Sequence, residues 1–204
     1  LIMKILKIIM NKRRDLKIYL PDINASGLHF IAKDGGLLFP LSFIKGISSQ
    51  VVHKIIDERA LNGNYRDFFD FVKRCFILKI GAESILKFIN AGALDVLYPS
   101  RATLRKTLDY ALQFAELSYN GDGQLILDDS LENQKQYFTD YDDPLENLNN
   151  EYETLGIMLS NNPLRYKKDL IDNLRVENLI ESENKSLRRI VGIISPIKII
   201  KTKK

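Results

Sequence analysis

The alternation of apolar and polar residues changes period several times along this chain of 204 residues. The opening LIMKILKIIMNKRR is rich in Ile and Lys without a sharp amphipathic face, and predicts at most an uncapped helix. From residue 16 the pattern becomes strand-like. An apolar run over 16–20 is stopped by Pro21, which has no ladder donor to give. The turn-dense PDINASG follows, then a run over 28–32, the turn Lys33-Asp34-Gly35-Gly36 and a run over 37–40. Asp-Gly between two apolar runs signals a hairpin, so a small two-stranded element is expected before any helix.

At residue 41 the period becomes helical. Leu41, Phe43 and Ile44 predict a short apolar helix, broken at Lys45-Gly46-Ile47-Ser48. Ser49 is the expected cap of a helix carrying Val51, Val52, Ile55, Ile56 and Ala60 at three- and four-residue spacing, ended by Gly63 through a left-handed cap. A glycine turn followed at once by a helix start aims free N–H groups outward, where a phosphate can sit at the positive end of the dipole. Lys45 and Lys54 can add charge to that contact. A second copy of the pattern follows: helices over 67–74 and 82–90, the small-residue turn Ala91-Gly92-Ala93, and a long helix over 101–118 opened by Pro99 and Ser100. Phe68, Phe69, Phe71 and Phe88 are expected in its core.

Beyond residue 118 the helical period is lost. A loop over 119–123 leads to the apolar island Gln124, Leu125, Ile126 and Leu127, and polar sequence then runs to Asn150. The island suits a peptide docking motif and equally a strand that tacks a linker to its domain. Helices are expected over 152–159, closed by Pro163, and over 164–174. The stretch over 188–201 (RRIVGIISPIKIIK) reads as one long strand whose partners must come from elsewhere, because its backbone groups need pairing.

Net charge is only +4, but residues 1–115 hold 18 Lys/Arg against 10 Asp/Glu, residues 116–155 hold 1 against 11, and residues 156–204 hold 11 against 5. Basic, acidic and basic blocks follow one another, which suits phosphate contact at both ends and a solvated linker between them. The single Cys75 excludes an internal disulfide, fits a reducing cytoplasm, and reads as a small buried hydrophobe. His29 and His53 lack metal-ligand spacing and read as structural or surface residues. No phosphate-cradling glycine loop is present, and the pairs Asp128-Asp129 and Asp142-Asp143 stand in polar sequence without the rigid setting that metal catalysis requires. No catalytic residue and no metal site is expected. The apolar opening is broken by lysines and too short for a membrane span.

Six blocks in order, YLPDINASGLHF, LLFPLSFIKGISSQVVHKIIDERALNG, FFDFVKR, ILKFINAGALDVL, NEYETLGIMLSNNPL and RRIVGIISPIKIIKTKK, resemble the region after the fingers in bacterial DNA polymerase III alpha subunits of the DnaE type. The resemblance implies a mainly α chain: end of fingers with short strands over 1–40, a tandem helix-hairpin-helix DNA-binding domain over 41–118, an acidic linker with a clamp-binding motif over 119–150, a helical connector over 151–186, and the truncated first strand of an OB domain over 187–204. Both ends then read as parts of a larger polypeptide. DNA contacts fall on Lys45, Gly46, Ile47, Ser48, Ser49 and Lys54 and on Ala91, Gly92 and Ala93, and the sliding-clamp contact falls on Gln124, Leu125, Ile126 and Leu127. The implied partners are duplex DNA, the clamp and the rest of the polymerase III holoenzyme. The implied polymerase uses Mg2+ in a palm upstream of this region, so no cofactor is expected here. A helical protein-interaction module, with hairpins that only pack, is the alternative.

Overall fold

The computed structural model describes residues 16–119 and 133–161. The expectations for residues 1–14, for the Gln124–Leu127 island and for everything past residue 161 lie outside them. All the described residues but Asn161 fall in the unit Leu1–Ser160.

Three short strands come first: β1 (Ile18–Tyr19), β2 (Ile31–Lys33) and β3 (Gly36–Leu38). Asp34 and Gly35 both take positive φ, 45° and 74°, the two-residue turn whose twist matches a hairpin. The sheet has a third strand where two were expected. β1 lies parallel to β3, with Ile18 opposite Leu37 and Tyr19 opposite Leu38, in the order β1-β3-β2. Parallel pairing joins strands distant in sequence, which local alternation cannot signal.

PDINASG, expected as a turn, is also a keystone. Ile23 is fully buried, and its N–H donates to Ala93 O at 2.9 Å. Asn24 and Tyr65 exchange hydrogen bonds of 3.0 and 2.8 Å. Arg59 donates to Ile23 O and Ser26 O at 2.6 and 2.7 Å.

A 3-10 turn over Leu41–Phe43 leads through Gly46 into α1 (Ser49–Asn62). The capping residue is Ser48, one position before the serine expected: it has extended backbone and its hydroxyl accepts from Val51 N. Gly63 has φ 78° but ψ 177°, so it ends α1 by an extended exit and not a left-handed cap. α2 (Phe68–Ile77) is capped by Asp67 and runs three residues past the expected end, because nothing breaks it before Lys79, at φ 55°. α3 (Ala82–Asn90) keeps its expected bounds, and α4 (Arg101–Leu117) stops one residue short of them. Phe68, Phe69, Phe71 and Phe88 are all fully buried, with edge-to-face ring contacts between α2, α3 and α4. Cys75 is buried among them, and burial pushes its thiol well up.

The acidic stretch is the largest departure from the solvated linker expected. Over 133–143 it runs along α4: Tyr110 donates to Gln134 O at 2.6 Å, and Thr107 and Thr103 accept from Phe138 N and Asp140 N at 3.0 and 3.1 Å. Tyr137 stacks on Tyr98 with centroids 4.3 Å apart. α5 (Pro144–Leu155) then forms, eight residues earlier than expected, with Asp143 as cap and Pro144 in its first turn. It ends at Gly156, φ 74° and left-handed, so Ile157, Met158 and Leu159 lie outside the helix. Its polar sequence hides it, since the side chains it buries are only Leu148, Glu151, Thr154 and Leu155.

Candidate nucleic-acid interface

Ile44 and Ile47 are buried and pin the first turn from below, while Lys45, Gly46, Ser48, Ser49 and Gln50 are exposed. Ile47 N returns to Ile44 O at 3.1 Å, and Gly46 supplies the positive φ of 78° that the reversal needs. The N–H groups of Gly46, Ser48, Ser49 and Gln50 find no acceptor among the described residues. α1 has no acidic residue in its first turn to offset the positive end of its dipole. An exposed cluster of unused donors at an unneutralised helix start is chemically an anion site.

The lysines around this turn are placed less simply than spacing suggested. Lys45 Nζ donates to Glu153 O at 2.9 Å, and its own N–H to Thr154 O, so it covers the last carbonyls of α5. Lys54 Nζ donates to Leu78 O at 2.6 Å, at the end of α2. Lys87, which no local pattern singled out, reaches the turn from α3: a Cβ on Gly46 would stand 2.5 Å from its Nζ. Glu83, one helical turn before it, is its ion-pair partner.

The second turn has the same sequence pattern and the opposite geometry. Ala91, Gly92 and Ala93 are all buried. Their N–H groups bond back into α3, to Lys87 O, Ile89 O and Phe88 O at 3.0, 2.9 and 3.0 Å. The two longer-range of these bonds, with Gly92 at φ 75°, form a helix-ending Schellman pattern. The outward amides expected here are therefore turned inward. The start of α4 is occupied too: Asp142 accepts from Ala102 N at 2.8 Å, so a carboxylate from the acidic stretch stands where an anion would bind.

Arg101 completes this closure. Its guanidinium lies over Gly92 and bonds Asp95 at 2.6 and 2.8 Å and the fully buried Glu151 at 2.7 Å. Burial would lower the Arg101 pKa, but its two carboxylate partners raise it. Asp95 goes the other way: burial raises its carboxyl despite Arg101. Glu151 also accepts from Leu159 N and Ser160 N at 2.9 and 3.1 Å. None of Arg101, Asp142 and Glu151 stood out in the sequence, since their meeting depends on contacts 40 and 50 residues apart.

His29 and His53 are exposed. Among the described residues no group of three or more His, Cys, Asp and Glu could hold a metal ion, and no helix is long and apolar enough to cross a membrane.

Two helix-turn-helix units, one open and one closed, define a helix-hairpin-helix protein, and residues 15–104 match the helix-hairpin-helix motif family. Over nearly its whole length the chain is similar to DNA polymerase III subunit alpha. It is 33% identical to that of Borreliella burgdorferi over 207 residues, covering 95% of this chain, and 29% identical to those of Vibrio cholerae and Escherichia coli K12 over 205 residues each, covering 95% and 94%. The chain belongs with the alpha subunits of DNA polymerase III as a homologue of one of their regions, and spans 18% of the length of these relatives.

Proposed function

We propose that this chain binds duplex DNA through the sugar–phosphate backbone, without reading base sequence, as part of a replicative polymerase assembly. The observation that carries this reading is the exposed, unpaired set of amides at Gly46, Ser48, Ser49 and Gln50. Amides and ammonium groups address phosphate oxygens and carry no information about base edges. Lys45, Lys54 and the buried anchor Ile47 support the same contact. Ala91, Gly92 and Ala93 contribute as the packed floor of the second unit.

The test is anisotropy of fluorescent duplexes of unrelated sequence with the full chain, across a salt series. The expected result is affinity that ignores sequence and falls with salt. Lys45→Glu with Lys54→Glu weakens it for all duplexes alike and flattens the salt dependence. Unchanged affinity and slope in that variant, with thermal unfolding confirming its fold, overturns the assignment. The closed second unit favours one other reading, a helical interaction module. Absence of binding at low salt by a folded chain selects it.

The sliding-clamp contact at Gln124, Leu125, Ile126 and Leu127 is a separate proposal resting on the resemblance. Leu125→Ala with Leu127→Ala is expected to abolish capture of the chain by the cognate clamp, and undiminished capture rejects it.

A further inference from the structure

β1 and β2 carry the surface that the hairpin reading does not use. Lys17 and Tyr19 alternate along one strand and so share a face of the sheet. Lys33 stands opposite Gly36 on the neighbouring strand pair. Gly36 leaves a gap in that face: a Cβ there would come within 2.9 Å of Tyr19 Cε2, so the tyrosine ring lies across β3 toward β2. Both ammonium groups converge on this ring, Lys17 Nζ at 4.5 Å and Lys33 Nζ at 5.7 Å from its centroid.

Both lysines are exposed, and neither forms an ion pair among the described residues. That sets them apart from Lys45 and Lys54, which cover helix carbonyls, and from Lys87, Lys106 and Lys135, which pair with Glu83, Asp140 and Asp67. The nearby carboxylates are otherwise engaged or unpaired with these lysines. Asp95 is bound by Arg101, Asp22 accepts from Asn24 N, and Asp34 makes no ion pair with either lysine. Two like charges drawn to one ring repel each other, and the attraction of the ring offsets that only in part. An anion between them removes the repulsion.

From Tyr19 and Lys33 a cleft of about 270 Å³ runs past Pro21 to Gly92 and Val96 in the second turn. The helix-hairpin-helix match begins at residue 15 and so includes this sheet.

We propose that the face formed by Lys17, Tyr19 and Lys33 is a second contact for the phosphodiester backbone of duplex DNA, supplying the basic charge that the closed second turn lacks. The proposal rests on the DNA-binding reading above. Tyr19 acts as the platform that holds the two ammonium groups in place, and Gly36 as the gap that lets the ring lie flat.

The full chain, Lys17→Gln with Lys33→Gln, and Lys17→Arg with Lys33→Arg are compared for duplex binding across a salt series, with polyglutamate as a competing ligand. The expected result is weaker binding by the Gln pair, a salt slope smaller by about 1.8 (about 0.9 for each phosphate released), near-normal binding by the Arg pair, and unchanged thermal unfolding. A Gln pair that binds duplex as the parent chain does overturns this proposal and leaves the hairpin reading intact. A parent chain that binds no duplex overturns both. Loss of polyglutamate binding with duplex binding retained overturns it in favour of an acidic protein partner.

Discussion

Arg101 fills the space that a side chain on Gly92 would need, and from there its guanidinium reaches the fully buried carboxylate of Glu151. Gly92 is thus required twice, for its φ of 75° and for the room it leaves. Gly92→Ala is expected to lose about 1–2 kcal/mol from the backbone alone, and more from displacement of the guanidinium, read as a lower urea midpoint. Arg101→Met leaves Glu151 as an uncompensated buried charge and is expected to cost about 3–5 kcal/mol. Adding Glu151→Gln to Arg101→Met should recover part of that loss. A second change that only adds to the first would show that the pair is not the source.

Ser48 and Ser49 are adjacent and chemically identical, yet only Ser48 has its hydroxyl on an amide of the first turn, that of Val51. Ser48→Ala should therefore cost about 1 kcal/mol, and Ser49→Ala should stay within about 0.5 kcal/mol of the parent. Thermal unfolding of the two single variants decides between them, and equal losses would place the cap elsewhere.

Asp142 gives the fold an acid-sensitive joint. Burial alone would raise its carboxyl, but hydrogen bonds from Ser100, Asn147 and the Ala102 amide, with the charge of Arg105, hold it below the usual carboxylate range. A folded pKa below the unfolded value, about 3.9, means that the ionised group stabilises the fold at any pH above that value. The contribution is lost as pH falls through the folded pKa. Asp142→Asn is expected to be less stable than the parent at pH 7, with the gap closing below about pH 4. Urea midpoints across pH measure this, and a gap independent of pH would deny the charge its role.

Local chemistry made part of this molecule legible. Asp34-Gly35 announced its turn, and the bounds of α3 followed from apolar spacing alone. The first turn was legible because Gly46 and the serines after it are adjacent in sequence. The second turn misled for an instructive reason: an identical small-residue signal serves both an outward hairpin and a helix-ending cap, and the difference lies in which carbonyls its amides reach. α5 was hidden because acidic composition suggested solvent, whereas its apolar residues and Glu151 face a partner helix. Lys45 and Lys54 were legible as charges but not as covers for helix carbonyls, since those carbonyls come from distant segments.

Arg101 and Glu151 are separated by 50 residues, which sets an order of events during synthesis. When α4 leaves the ribosome its guanidinium has only Asp95 to meet, and the start of the helix has no Asp142. The hydrophobic layer of α2, α3 and α4 can assemble then, but the second unit stays electrostatically open until the acidic strand emerges and closes it. For that interval the nascent chain presents two basic, amide-rich ends where the finished protein presents one, and premature capture by polyanions is a hazard that the acidic stretch ends.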